Sequence, residues 1–149
     1  MKINSTPREI KSGIYEKGAF TFEEVYNSIK AHPLIKKSGS ILTFTGIVRE
    51  TSKTGKLIKD LEIEAYEELG NQIICEICKS IKEKYDLIDI KIVHLKGRFD
   101  ISEDLVYVLV ASAHRPEGFN ALMEAVERYK SELTVWMKEE FIDGTSKRV

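Results

Sequence analysis

Leu105-Val106-Tyr107-Val108-Leu109-Val110-Ala111-Ser112-Ala113-His114-Arg115-Pro116 sets the frame for this chain. Residues 105–113 are an almost unbroken apolar run rich in β-branched side chains. That is the pattern of a strand covered on both faces at the centre of a sheet. Pro116 then falls where a helix begins, because its fixed φ and missing N–H are tolerated in a first turn. Phe119, Leu122, Met123, Val126, Tyr129 and Leu133 follow at helical spacing and mark the expected buried stripe of that helix.

Upstream, Ile88, Ile90, Ile92 and His94 alternate along a strand over 88–95. Leu69, Ile73, Ile74, Ile77 and Ile81 recur with helical period and predict a helix over 67–84. Residues 58–66 alternate as a half-buried strand, with Ile58 out of phase. Residues 40–49 are β-branched and aromatic, a further strand, in which Gly46 suggests a bulge or a close backbone approach. Residues 50–56 read as a polar, mobile loop around Gly55. Thr21 suits the N-cap of a helix whose first turn holds Glu23 and Glu24, and His32-Pro33 closes that helix. Before it come a loosely ordered start over 1–20 and a short strand near Ile14-Tyr15. After the last helix an extended pattern runs over 134–141, and Asp143-Gly144 marks a turn. The order predicts an α+β fold with a mixed or antiparallel sheet, forming a single domain over 1–149.

Composition narrows the function. Hydrophobic residues at 42% and charged residues at 32% suit a packed domain rather than a disordered chain. A formal net charge of -1 gives no basic excess for nucleic acid. No apolar run approaches bilayer length and the first residues hold no secretory h-region, so the expectation is a cytoplasmic protein without a membrane anchor. Cys75 and Cys78 have redox or zinc spacing but lie inside a helical pattern with no second pair, which favours core or helix-surface cysteines. The sequence holds no metal motif, dinucleotide fingerprint or Walker loop, and no cofactor or metal is expected.

Four places could carry chemistry. His114-Arg115 sits where a strand ends and a helix starts. Free N–H groups there attract anions, and an arginine grips phosphate in bidentate fashion; the alternative is a capping histidine beside a solvated arginine. Arg49 ends a strand next to the 50–56 loop and could be functional or merely exposed. Lys130 follows Val126 by four residues on a largely apolar face, where it either snorkels to water or heads a cleft as nucleophile or general base. Trp136, the single tryptophan, reads as core. His94, on an apolar strand face, reads as a satisfied structural histidine.

Together these segments resemble the molybdopterin synthase large-subunit family from about 39 to 144. The resemblance rests on Thr43-Phe44-Thr45-Gly46-Ile47-Val48-Arg49, on Leu61-Glu62-Ile63-Glu64-Ala65-Tyr66, and on Ser112-Ala113-His114-Arg115 followed by Phe119, Tyr129-Lys130 and Trp136. It implies a hammerhead-like α/β fold with an added small subdomain, and a homodimer of large subunits within a heterotetramer. The implied partner is a small ubiquitin-like sulfur carrier whose Gly-Gly tail ends in a thiocarboxylate. The implied substrate is cyclic pyranopterin monophosphate (precursor Z), opened by two sulfur transfers to give molybdopterin. Arg49, His114 and Arg115 would hold the substrate phosphate and pterin, and Lys130 would act beside the thiocarboxylate.

The chain departs from the family pattern in three places. Met137 stands where the family carries a functional lysine after the tryptophan, and Lys138 is the adjacent basic residue. For Lys138 to act catalytically in its place, a bulge must turn it into the pocket; otherwise another basic residue substitutes or activity is reduced. The family's His-Arg-x-Gly reads His94-Leu95-Lys96-Gly97, with the basic residue displaced to Lys96. The family's Trp-Val near the end reads Arg148-Val149.

Overall fold

A computed structural model describes residues 8–149. In chain order its elements are β1 (Gly13–Glu16), α1 (Phe22–Lys30), a 3-10 turn (Ile35–Lys37), β2 (Ser40–Ile47), β3 (Ile58–Ala65), α2 (Glu67–Lys84), β4 (Asp89–Asp100), β5 (Asp104–Ser112), α3 (Arg115–Glu132), β6 (Val135–Phe141) and β7 (Ser146–Arg148). The strands form one seven-stranded sheet in the order β2-β5-β4-β3-β6-β7, with β1 lying parallel to β4 and every other pairing antiparallel. This is the mixed α+β architecture that the alternation of periods implies.

Strand β5 is buried on both faces but is not the central strand expected: it lies one in from the β2 edge, and β4, paired with β1, β3 and β5, takes the centre. Val106, Val108 and Val110 face a core built with Ile74, Ile77 and Ile81 of α2 and Ala121 and Ala125 of α3. Tyr107, Leu109 and Ala111 face a second core with Val25 and Ile29 of α1 and Phe99 of β4. Strand β4 is treated likewise, with Ile92 in the first core and Val93 in the second. A strand apolar at every position is stable only where both faces are covered, which is what the three helices provide. Helix α1 begins with a reciprocal cap: Glu24 N–H donates to Thr21 Oγ1 at 3.2 Å, and the Glu24 carboxylate accepts from Thr21 N–H at 3.0 Å.

Strand β4 runs five residues past the expected end. It pairs with β5 through residues 89–94 and with β3 through residues 97–100. Gly97, at φ 131°, stands at this change of partner, in a conformation that disfavours a side chain. The exchange joins the β2–β5 part of the sheet to the smaller β3–β6–β7 part. Strand β7 is an addition to the sequence reading: the Asp143-Gly144 turn returns the chain as a hairpin, with Gly144 at φ 87°.

The structure corrects several burial expectations. Phe119 and Met123 are 59% and 64% exposed, and the buried face of α3 consists of Gly118, Ala121, Ala125 and Tyr129. Small residues let the helix lie close to the sheet, so a Cβ added to Gly118 would meet Ser112 Oγ at 2.5 Å. The larger apolar side chains consequently flank the contact. Leu69 of α2 is exposed, and Gly70 takes its inward place. Trp136 leaves the core and meets Tyr66 edge-on, with ring centroids 5.3 Å apart. Cys75 is exposed and Cys78 half-buried, and both are free thiols. The first seven residues of the loosely ordered start expected over 1–20 lie outside the described residues.

Candidate active site

The register of β2 against β5 shifts between Gly46 and Ile47. A Cβ on Gly46 would come within 2.7 Å of Val106 Cγ1, so the bulge depends on a residue without one. Past the bulge Val48 turns inward at 4% exposure, tied by Val48 N–H to Glu103 O at 3.1 Å and Ser102 N–H to Val48 O at 2.9 Å. Arg49 then stands at the rim of a cleft of about 590 Å³. Loop 50–56 folds against the same opening as a closed turn rather than an unsupported strap. Ser52 N–H donates to Lys56 O at 2.9 Å, Lys56 N–H to Ser52 Oγ at 3.1 Å, and Thr51 bridges Leu57.

The other walls come from the end of α3 and from the β6–β7 hairpin. Tyr129 is buried, and Lys130, one residue later, leaves the helix at the edge of the contact. Its ammonium lies 5.9 Å from the Phe44 ring centroid. From β6 come Val135, Met137 and Glu139, and from β7 Lys147. The floor holds His94, whose Nδ1 lies 3.0 Å from Leu95 O and whose ring packs edge-on against Tyr129. Burial pushes the His94 imidazole below its usual range and raises the Tyr129 hydroxyl to about 12. Four cations, Arg49, Lys53, Lys130 and Lys147, thus line one cleft with a single acidic side chain, Glu139. Among the described residues none of these four lies within 4.0 Å of a carboxylate oxygen.

The expected site residues divide into two groups. Arg49 and Lys130 meet in this cleft. His114 and Arg115 do not line it: they open α3 beside Ser112, which pairs with Ser40 at the far end of β2. The length of β2 separates the two groups by roughly 20 Å at about 3.3 Å per residue. At the α3 start His114 is the N-cap without a side-chain cap hydrogen bond, and Ser112 Oγ donates to His114 O at 2.9 Å.

Lys138 lies outside the cleft. The β6 register is unbroken from Asp60↔Glu140 to Ala65↔Val135, so no bulge rotates it, and it faces away from Met137 and Glu139. Its ammonium instead meets Glu140 at 3.2 Å. Lys96 is likewise committed elsewhere, to Glu67 at 3.0 Å and Glu16 at 3.3 Å. The sequence reading missed Lys53, Glu139 and Lys147. Lys147 was within reach of it, because the Asp143-Gly144 turn implies a returning strand; Lys53 sits in an irregular loop with no periodic signal.

The chain is similar to known proteins over most of its length. A molybdopterin synthase catalytic subunit of Bacillus subtilis is 38% identical over 128 residues, covering 83% of this chain and 81% of that protein. One from Pyricularia oryzae is 38% identical over 108 residues, 72% of this chain; the aligned part spans only 59% of that protein's length. A crystal structure of molybdopterin synthase from Staphylococcus aureus superposes with a TM-score of 0.83 at 30% identity, covering 95% of this chain and 98% of that one. The family model described as MoaE protein matches residues 16–132, a stretch running from the last residue of β1 to the end of α3, and the chain belongs to that family.

Proposed function

We propose that this chain is the catalytic subunit of a molybdopterin synthase. It transfers sulfur from the C-terminal thiocarboxylate of a small ubiquitin-like partner, ending in Gly-Gly, to cyclic pyranopterin monophosphate. The observation that carries this reading is the cleft. In a chain of net charge -1, four cationic side chains and one acidic side chain line a single cavity of about 590 Å³. That is a site for anions, and both a cyclic phosphate and a thiocarboxylate are anions. The relatives named molybdopterin synthase catalytic subunits support the reading.

In this reading Arg49 holds the substrate at the cleft rim through its guanidinium fork. Lys130, beside Phe44 and Tyr129, stands where the partner's tail meets the substrate. It stabilises negative charge as the sulfur–carbon bond forms and exchanges a proton with the reacting groups. Among the described residues no helix is long and apolar enough to cross a membrane, and the proposed site of action is the cytoplasm.

His114 and Arg115 take part if a second copy of the chain supplies them. Phe119 and Met123 leave an exposed apolar stripe on α3 directly after them. A stripe of that kind suits an isologous contact between two copies, as in the homodimer of large subunits within a heterotetramer. The second copy's helix start would then bring anion-binding N–H groups and a guanidinium toward the first copy's cleft.

Reconstitution tests the reading. The purified chain, a thiocarboxylated small subunit and cyclic pyranopterin monophosphate are mixed, and molybdopterin is assayed as its fluorescent oxidised derivative. Product formation that requires both the partner and Lys130 is the expected result. Met137 favours one alternative, a non-catalytic relative that binds the small subunit without turnover; a stable complex that yields no product selects it.

A further inference from the structure

The cleft wall formed by β6 presents Met137, an uncharged thioether, to the cavity that the four cations share with a largely apolar lining. The neighbouring lysine of that strand, Lys138, faces the other way and is paired with Glu140. The hairpin partner strand restores what β6 lacks. In β7, Lys147 is the register partner of Glu139 and Arg148 that of Lys138. Directly opposed residues of an antiparallel pair share a face, so Lys147 stands on the same side as Glu139 and Met137, and Arg148 stands on the side of Lys138. Val149 N–H donates to Met137 O at 2.8 Å, which fixes β7 against this stretch. Met137 and Lys147 are therefore diagonal neighbours, roughly 7–8 Å apart, a span that a lysine side chain covers.

The hairpin is also held from behind. Phe141 N–H donates to Thr145 O at 2.8 Å, and Asp143 Oδ1 accepts from Thr145 N–H at 2.8 Å. Lys56 Nζ reaches Asp143 at 3.3 Å, tying the turn to the end of the 50–56 loop that carries Lys53. Lys147 thus projects from an anchored hairpin into the cleft. Among the described residues the acidic side chain it faces across the hairpin is Glu139, and the two do not approach within ion-pair distance.

We propose that Lys147, delivered across the β6–β7 hairpin, is the anion-binding cation of the Met137 wall and contacts the substrate's phosphate oxygens there. This assignment rests on the functional reading for the identity of the substrate, but its geometry can be tested without turnover. Charge at this wall is supplied from the adjacent strand, so the position of the cation is kept while its place in the sequence changes.

The test has two arms on the full chain. In the first, inorganic pyrophosphate is titrated calorimetrically into wild type, Lys147→Ala, Arg148→Ala and the double variant Lys147→Ala/Met137→Lys. Lys147→Ala is expected to weaken binding about three- to fivefold, the scale of one partly exposed charge contact. Arg148→Ala, on the opposite face, stays within about twofold, and Met137→Lys restores binding in the Lys147→Ala background. That rescue is a result a merely structural role for Lys147 could not produce. In the second arm the complex with the thiocarboxylated small subunit is assayed, and Lys147→Ala raises the substrate KM by a similar factor while partner affinity is unchanged. Wild-type pyrophosphate binding by Lys147→Ala, or a loss confined to partner affinity, overturns the assignment. If the binding pattern holds but wild-type complex makes no product, Lys147 keeps its place and the sulfur-transfer reading falls instead.

Discussion

The imidazole of His94 meets the ring of Tyr129 edge-on, with centroids 5.7 Å apart and planes at 76°, and the pair lies beneath the cationic cleft. His94 is 2% exposed and Nδ1 faces the carbonyl of Leu95, so Nδ1 carries the proton of the neutral ring. Burial lowers its pKa from 6.5, and burial raises that of Tyr129 to about 12. Both rings are therefore uncharged at neutral pH, and the cations above them meet no buried counter-charge in this pair.

That neutrality has a consequence for stability. Above about pH 6.5 the His94 ring is neutral in the folded and the unfolded chain and contributes no pH dependence. Below it the unfolded chain takes up a proton that the folded chain resists. The unfolded state then binds more protons, and stability falls with falling pH by at most about 1.4 kcal/mol per unit. His94→Asn keeps an N–H that can donate to Leu95 O and removes the titration. Urea unfolding at pH 7 and pH 5 should show a smaller loss for the variant than for wild type. Equal losses would mean that His94 does not resist protonation.

The bulge after Gly46 sets the position of Arg49, so its disruption should report on both fold and function. A Cβ at residue 46 meets Val106 Cγ1 at 2.7 Å, and valine is stiff at χ1 and fully packed here. Gly46→Ala is expected to destabilise the chain by about 1–3 kcal/mol, the usual cost of overpacking. It should also raise substrate KM through displacement of Arg49. Chemical denaturation reads the first effect and steady-state assay the second. A variant as stable as wild type would show that β2 absorbs the methyl group without shifting.

Lys130 should dominate turnover. Its ammonium shares the cleft with Arg49 and lies over Phe44, and no described carboxylate is near enough to neutralise it. Lys130→Ala is expected to lower turnover by about 100-fold or more, the scale of losing one positioned acid/base or charge-stabilising group. Gel filtration with the small subunit should still show the complex. Turnover within about threefold of wild type, with the complex intact, would remove Lys130 from the chemistry.

The two cysteines give an independent check on how α2 is seated. Cys78 lies 3.6 Å from Ser12 Oγ, and burial pushes its thiol up to about 11, whereas Cys75 is exposed. Alkylation proceeds through the thiolate, so iodoacetamide at pH 8 should modify Cys75 at least about tenfold faster than Cys78. Mass spectrometry of a time course distinguishes the two. Equal rates would mean that α2 is not packed on the segment before β1 as described.

How much of this was legible in the sequence follows from which physical signal each feature leaves. The doubly buried strand β5, α2 and the Thr21 cap were readable because periodicity and capping are local, whereas the place of β5 one strand in from the edge was not. The burial of α3 was not: its inward face is Gly118, Ala121 and Ala125, while Phe119 and Met123 are exposed. Hydropathy ranks large residues above small ones and cannot see how closely a helix approaches a sheet. Strand β4 was cut short because nothing local marks an exchange of partners at Gly97. Arg49 and Lys130 were found in the sequence, but their meeting depends on a bulge and a helix end brought together by topology. Lys147 enters only through the register of a three-residue strand, and His114 and Arg115 fall away from the cleft because strand length, not sequence distance, separates them.

That separation makes the composite-site proposal directly testable. If each cleft takes Arg49 and Lys130 from one copy and His114 and Arg115 from another, then Lys130→Ala and Arg115→Ala damage different contributors to the same site. Each variant alone gives dimers in which both sites are defective. Mixed and allowed to exchange, half of the dimers become hybrid, and one site in each hybrid has both intact contributors. Activity should then rise to about a quarter of wild type, as random pairing in a two-fold dimer requires. The assay is molybdopterin formation by the two variants together, against each alone, after exchange has been verified by native mass spectrometry. If hybrids form and activity does not rise above that of the separate variants, Arg115 does not act across a dimer contact. Its exposed position at the start of α3 would then be that of a solvated arginine.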